Sequence, residues 1–323
     1  MTWIRRWLWQ VRPPVLALGG GGARGFGHLG ALQVVDEQGL PVRAIAGTSM
    51  GAVIGAMYLA HGSAQRATEV WREAMSRDLI PAVRPIRAAP EVGTQEHPLV
   101  QVARRIRNRV VVSFAVNRAA VLDETDLLRA FEFLIPDLGV EDLPLPFVAV
   151  ATDLETGETV HLARGPVREA LRASSAIPGL LPAVILDGRS LVDGGVIAEV
   201  PIAAARSLGR PVVAVDASAD LPPLAADSLV LDTMVRAQMI SGRLLREYQL
   251  HTPLHVVRPQ VGHAAWADWH RFDELIAAGR RAMQQFLDLP VDEKEHEAPP
   301  VGEVLPDAPE EPSPSPAQQD PPA

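Results

Sequence analysis

Ser49 lies in Gly47-Thr48-Ser49-Met50-Gly51, a G-x-S-x-G pentapeptide. The chemistry this pattern permits is nucleophilic attack by the serine hydroxyl, provided the pentapeptide joins a strand to a helix. At such a turn the serine is forced into a strained backbone conformation. The residues two before and two after it are pressed between strand and helix, where a side chain has no room. Gly47 and Gly51 meet that need. Ser49 would also stand at a helix N-terminus, whose unpaired N–H groups favour developing negative charge. A glycine-rich helix start capped by serine has the same letters, so the flanking elements decide between the two.

A second glycine cluster, Gly19 to Gly25 (GGGGARG), precedes the first by some 25 residues. Gly20, Gly22 and Gly25 satisfy G-x-G-x-x-G, but a dinucleotide site also asks for an acid at the end of the second strand. That place is held by Gly47-Thr48-Ser49, so a nucleotide-binding module is the weaker reading. Glycines can equally turn backbone N–H groups toward an oxyanion, which makes Gly20, Gly21 and Gly22 candidates for that role. Arg24 could hold a phosphate or brace the loop through its carbonyls; the residues alone leave both open.

A serine nucleophile needs a base. None of the nine His residues lies in a setting resembling the late loop that carries a triad histidine. His28, just past the glycine cluster, is the best placed and reads more naturally as a helix-packing residue. Leu191-Val192-Asp193-Gly194-Gly195 offers another base. Gly194 and Gly195 permit close backbone approach, so Asp193 could meet the serine hydroxyl directly. A carboxylate is a weak base unless its surroundings are partly dry. Asp-Gly is also a common turn, as at Asp187-Gly188.

The elements around these residues alternate. Val15–Leu18 is an apolar run ending in the first glycine cluster, and a helical stretch follows over 25–38, closed by Gly39-Leu40-Pro41. Residues 42–46 predict a second strand and Met50–His61 a second helix closed by Gly62. Strand, helix and strand within about 30 residues form one right-handed βαβ unit. Further strands are expected at 146–151, 159–162, 183–186, 211–216 and 254–257, and helices at 124–133, 167–173, 201–208, 229–248 and 272–287. The fold class is therefore α/β, a three-layer sandwich with a largely parallel central sheet and helices on both faces. In a parallel sheet both glycine-rich turns would open at the same carboxyl edge.

The rest of the composition narrows the function. The 323 residues contain no Cys, which excludes disulfides, Cys–zinc sites, iron–sulfur clusters and thiol nucleophiles. No apolar run approaches the roughly 18 residues of a membrane span, and the first residues do not form a secretory signal. From Pro290 onward nine acids face one base, Lys294, so this tail carries −8 of the net −9 and the body is nearly neutral. With ten prolines in 34 residues the tail, 290–323, is expected to be disordered. Residues 81–122 are broken by prolines and carry seven Arg against Glu91 and Glu96; they read as an insertion, either a lid or lipid-facing element or a solvated loop. The arm 1–13 places Trp3, Ile4, Trp7 and Leu8 on one side of a helix and Arg5 and Arg6 on another, which suits a membrane interface as well as packing on the body. The body domain is expected over 14–289.

Three motifs in this order, GGGGARG, GTSMG and DGG, on an α/β body resemble the patatin-like phospholipases. The block Arg172–Val184 (RASSAIPGLLPAV) also resembles the one preceding the family's dyad aspartate. The resemblance covers roughly Val15 to Asp216 and is closest to the short bacterial members. It implies hydrolysis of phospholipid or lysophospholipid acyl esters by a Ser–Asp dyad without His, metal or organic cofactor. Ser49 would be the nucleophile and Asp193 the base. The backbone of Gly20, Gly21 and Gly22 would form the oxyanion hole, with Arg24 supporting the loop. Gly47, Gly51, Gly194 and Gly195 would be the elbow and dyad-turn glycines. An esterase or thioesterase on a soluble acyl substrate would use the same residues. The expected partners are a lipid or fatty acyl ester and no nucleic acid. The expected location is cytoplasmic, with peripheral contact at the inner membrane face motivated by the Trp/Arg arm and the basic insertion.

Overall fold

Alternate residues along each short strand point to opposite faces of a sheet, so a strand buried on both faces is mostly apolar along its length. Val15–Leu18 (β1), Ala44–Thr48 (β2), Phe147–Asp153 (β3) and Val212–Val215 (β7) are buried at every position. Leu16, Leu18, Ile45, Phe147, Val213 and Val215 face one helical layer. Val15, Ala17, Ala44, Ala46, Val148, Val150, Val212 and Ala214 face the other. The computed structural model of the chain describes residues 2–80, 124–219, 221, 230–251, 255–262 and 264–288. The expected insertion at 81–122 and the acidic tail lie outside the described residues.

The remaining strands are Thr159–Leu162 (β4), Val184–Leu186 (β5), Arg189–Asp193 (β6) and His255–Val257 (β8). The sheet runs β5-β6-β3-β2-β1-β7-β8, with β4 paired to β3. β1, β2, β3, β7 and β8 are parallel; β4 and β6 pair antiparallel with β3, and β5 pairs antiparallel with β6. The helices are Thr2–Val11 (α1), Phe26–Glu37 (α2), Met50–His61 (α3), Ala64–Ser76 (α4), Glu124–Leu134 (α5), Val167–Ser174 (α6), Ile202–Leu208 (α7), Val230–Leu250 (α8) and Phe272–Asp288 (α9). This is the expected mixed α/β sandwich, with its sheet mostly parallel and helices on both sides. β2 lies two residues later than 42–46, because its pairing with β1 runs on to Gly47. The helix α4 and the strand β6 were not expected from the sequence.

Three details hold the layers in place. α2 and α9 meet backbone to backbone: a Cβ on Gly30 would fall 1.9 Å from the Ile276 carbonyl oxygen, and one on Gly279 1.9 Å from that of Gly27. Phe26, at the start of α2, sits edge-on to Trp71, Trp269 and Phe272. At the N-terminus Trp9 is buried, donating its Nε1–H to the Pro41 carbonyl at 2.8 Å and meeting the Phe286 ring edge-on. So part of the arm packs on the body, while Trp7, Leu8 and Val11 stay exposed.

The α2–α9 contact predicts opposite responses at two helical glycines. Gly279→Ala should lower unfolding free energy by at least about 2 kcal/mol, since backbone has to move. Gly242→Ala, where an added Cβ meets nothing within 4 Å, should raise it by up to about 1 kcal/mol. Urea denaturation of both variants checks the pair.

Candidate active site

The sheet itself brings Ser49 and Asp193 together. Ala149 and Val150 of β3 pair with Gly47 and Thr48 of β2, and on the opposite edge with Leu162 and His161 of β4. Ala151 and Thr152 pair with Val160 and Thr159 of β4, and with Asp193 and Val192 of β6. A strand has two edges, so β6 takes over, from Ala151, the edge of β3 that β2 holds up to Val150. β2 leaves that edge because the chain turns sharply at Ser49 into α3. Asp193 arrives at the next register position. The Ser49 side chain lies close enough to the Asp193 carboxyl to pull its pKa down.

Ser49 has φ 52° and ψ −124°, a conformation that costs a non-glycine residue on the order of 1–3 kcal/mol. The turn is this tight because its flanks touch. A Cβ on Gly47 would lie 2.4 Å from the Ala52 Cα, and one on Gly51 2.1 Å from the Leu18 carbonyl oxygen. The strained turn is braced from outside. The Ser49 N–H donates to the Ser174 Oγ at 2.9 Å, and the Ser174 hydroxyl donates to the Val150 carbonyl at 2.7 Å. Thr48 Oγ1 donates to the Ala198 carbonyl at 2.8 Å. Asp193 is held by its own N–H donating to the Ala176 carbonyl at 2.9 Å, and its carboxylate accepts the Gly195 N–H at 2.7 Å. A Cβ on Gly194 would sit 2.3 Å from the Val150 carbonyl oxygen, so the turn after Asp193 also requires contact without a side chain.

Ser174 and Ala176, which hold the Ser49 and Asp193 N–H groups, are contacts that the sequence did not single out individually. The signal lay in the block 172–184, whose small residues reach both partners of the pair.

The glycine cluster divides in two. The Gly20 N–H is committed to the Glu199 carbonyl at 2.8 Å and that of Ala23 to the Trp266 carbonyl at 2.8 Å. Among the described residues the N–H groups of Gly21 and Gly22 meet no protein acceptor. Of the three expected oxyanion donors, two are therefore available, and Gly20 serves by carrying no side chain beside Ser49, where a Cβ would lie 3.5 Å from the serine Cβ. Arg24 braces the loop, its Nε donating to the Gly21 carbonyl at 2.9 Å; burial lowers its pKa. His28 is fully buried with Nε2 on the Gly19 carbonyl at 2.8 Å, and burial pulls its pKa down to about 4. Neutral and turned to Gly19, it anchors the loop.

Electrostatics favour Asp193 as a base. Burial lifts its pKa to about 6, against the nearby Ser49 side chain and the Gly195 hydrogen bond, which pull it down, with Glu199 adding to the rise. Glu199 is held in turn by Arg246 at 3.0 Å, and Arg246 and Arg258 flank the buried Asp216 at 3.7 and 3.5 Å.

A family model described as patatin-like phospholipase matches residues 16–206. The chain belongs to that family. An uncharacterized NTE family protein of Mycobacterium tuberculosis is 34% identical over 188 residues, 58% of this chain and 44% of that protein. The human patatin-like phospholipase domain-containing protein 6 is 34% identical over 208 residues, 62% of this chain and 13% of its own. Lysophospholipase NTE1 of Kluyveromyces lactis is 28% identical over 314 residues, 88% of this chain and 20% of that one. This patatin-like chain thus spans less than half the length of these curated relatives. Among solved structures, VipD of Legionella pneumophila aligns with TM-score 0.44 at 15% identity, over 85% of this chain and 66% of that one. Among the described residues of the patatin-like chain no helix is long and apolar enough to cross a membrane.

The raised pKa of Asp193 makes a stability prediction. With a folded value of about 6 against an ordinary 3.8, the native state gains from the bound proton, fully at low pH. That contribution is lost as pH rises through 6, where a buried charge must be carried. Asp193→Asn should therefore raise unfolding free energy at pH 8 by up to about 3 kcal/mol and by much less at pH 4. Thermal melts of both proteins at the two pH values test this. Ser49→Gly should melt above Ser49→Ala, by the strain that glycine relieves and alanine keeps, on the order of 1 kcal/mol.

Proposed function

We propose that the chain is a serine acyl hydrolase that cleaves fatty acyl esters of phospholipids or lysophospholipids through Ser49 and Asp193. The observation that carries this reading is the strand register that sets a strained, buried serine beside a buried carboxyl, whose pKa burial lifts to about 6. A serine in that conformation has no structural reason to be there, and a carboxylate near 6 is a far better proton acceptor than one near 3.8. Family membership and relatives named phospholipase or lysophospholipase support the lipid ester as substrate.

In this mechanism the Ser49 hydroxyl proton passes to Asp193 as Oγ attacks the ester carbonyl carbon. The electron pair moves onto the carbonyl oxygen, and the resulting oxyanion accepts hydrogen bonds from the N–H groups of Gly21 and Gly22. The tetrahedral intermediate collapses by breaking the bond to the alcohol, which takes the proton from Asp193 and leaves. Water then gives its proton to Asp193 and attacks the acyl-serine. The fatty acid departs, and Ser49 recovers its proton from Asp193. Asp193 thus plays the part that a histidine plays in a triad, and its lifted pKa lets it both accept and return a proton near neutral pH.

Ser49→Ala and Asp193→Asn should each lower kcat by at least about a thousandfold toward an activated fatty acyl ester. A fluorophosphonate should label one residue, Ser49; wild-type turnover by the Ser49→Ala protein sinks the assignment. The profile of kcat/KM against pH should rise through about 6 as Asp193 ionises and then stay level. Because the Glu199 charge raises that pKa, Glu199→Gln should move the rise to lower pH. A rate that jumps when a lysophospholipid passes its micelle concentration separates a lipid enzyme from an esterase on soluble substrates.

A further inference from the structure

Three successive carbonyls behind the base each hold a different part of the molecule. Residues 194–199 follow Asp193 directly. The Ile197 carbonyl accepts from Gln249 Nε2 of α8, the Ala198 carbonyl from Thr48 Oγ1 at the end of β2, and the Glu199 carbonyl from the Gly20 N–H, all at 2.8 Å. The segment also folds back on its own start, the Ile197 and Ala198 N–H groups donating to the Gly194 carbonyl at 3.1 and 2.8 Å. It therefore touches the Asp193 turn, the residue before Ser49 and the glycine loop at once.

Helix α8 grips this segment twice. Arg246 and Gln249 are three residues apart, so they leave the helix on the same side. Gln249 takes the Ile197 carbonyl, and Arg246 meets the Glu199 carboxylate at 3.0 Å, with 12% of the arginine side chain and 24% of the acid's exposed. All of α8 lies beyond residues 16–206, which the family model covers. Of the groups that act on Asp193, namely Ser49, Gly195 and Glu199, only Glu199 is charged, and a second acid opposes ionisation of the first. The charged groups facing Glu199 are Arg246 from α8 and Arg24 from the glycine loop. Arg24 is turned to the Gly21 carbonyl through Nε, and Asp216, just past β7, draws on both arginines and on Arg258. Among the described residues it is Arg246 that forms the ion pair with Glu199.

We propose that Arg246 is a positioning residue for the Ser49–Asp193 reaction, fixing Glu199 behind the base and cancelling much of the charge that Glu199 presents to it. This deepens the ester-hydrolase reading above and rests on it for its purpose, although not for its measurement. With the ion pair intact, Asp193 has a neutralised neighbour and ionises near pH 6. Without the guanidinium a bare carboxylate stands behind Asp193, which then keeps its proton to higher pH. The pair is largely buried, so solvent and salt screen its charges less than they would on the surface.

The test uses the full chain carrying Arg246→Gln, which can still donate to Glu199 but has no charge, or Arg246→Lys, which keeps the charge. The profile of kcat/KM against pH is followed with a soluble activated ester. Arg246→Gln should move the rise upward by about half a pH unit or more, and Arg246→Lys should leave it in place. In a Glu199→Gln background, Arg246→Gln should move it no further, because the charge that Arg246 cancels is gone. A rise that Arg246→Gln leaves unmoved, or moves equally with and without Glu199, overturns the proposal. So does a rate lost equally at every pH and not restored by Arg246→Lys, which marks a merely structural role. If Arg246→Gln does not fold, the milder Arg246→Lys decides: a retained charge should hold the rise in place, and a shift overturns the proposal. The Asp193 titration is also read without turnover, from the difference in melting temperature between each protein and its Asp193→Asn counterpart across pH. The expected shift in those melts, in a chain that hydrolyses no ester, would refute the enzyme reading alone.

Discussion

One strand edge governs the site. The edge of β3 is shared end to end by β2 and β6, and the changeover falls between Val150 and Ala151. Because hydrogen-bonded strands keep a fixed spacing, the last residue of β2 and the last of β6 have to lie side by side. A serine at the end of one and a carboxyl group at the end of the other are thereby brought together across more than 140 residues of chain without a dedicated loop. The antiparallel direction of β6 matters equally. Only a strand running toward β2 can finish at the changeover and point its terminal side chain there.

Holding this pair costs stability, and the surroundings show how it is offset. Ser49 is backbone-strained, Asp193 is a buried acid, and three contacts around them are too close for any side chain. The compensations are local and specific. Ser174 takes the Ser49 N–H, the Ala176 carbonyl takes the Asp193 N–H, and the Glu199 carbonyl takes the Gly20 N–H. Each brace ties one site segment to a different element, so the turn cannot relax without breaking hydrogen bonds in a dry interior, where unpaired groups are expensive. The same dryness lifts the Asp193 pKa, so burial serves both rigidity and base strength.

Much of this was legible in the residues and some was not. β1, α3 and β4 coincide with their expected limits because each is bounded by unambiguous punctuation: the glycine cluster, the Ser49 turn with Gly62, and the Gly157 turn. β6 escaped notice because Arg189–Asp193 contains only two apolar residues, and its identity as a strand depends on partners far away in sequence. α4 was readable, since Ala67, Val70, Trp71 and Ala74 follow a helical period behind the Ser63 cap, but its polar outer face resembles a loop. The division of labour among Gly20, Gly21 and Gly22 had no sequence signal. It depends on where the Glu199 carbonyl comes to rest.

The N-terminal arm and α8 show the limit of amphipathicity as a guide. A helical wheel says which residues share a face, not which way the face turns. Among the described side chains of α1, Trp9 packs inward, while Trp7 and Leu8 remain outside. In α8 the direction is set by a few polar contacts at one end: Arg246 with Glu199 and Asp216, and Gln249 with Ile197. Those contacts serve the site, since Glu199 also holds the glycine loop and tunes Asp193. Arg246 and Gln249 thus tie the C-terminal end of the helix to the body. Farther from that anchor Val235 and Met239 are exposed on the arginine side as Met234 and Leu244 are on the other, so the wheel alone does not orient the helix.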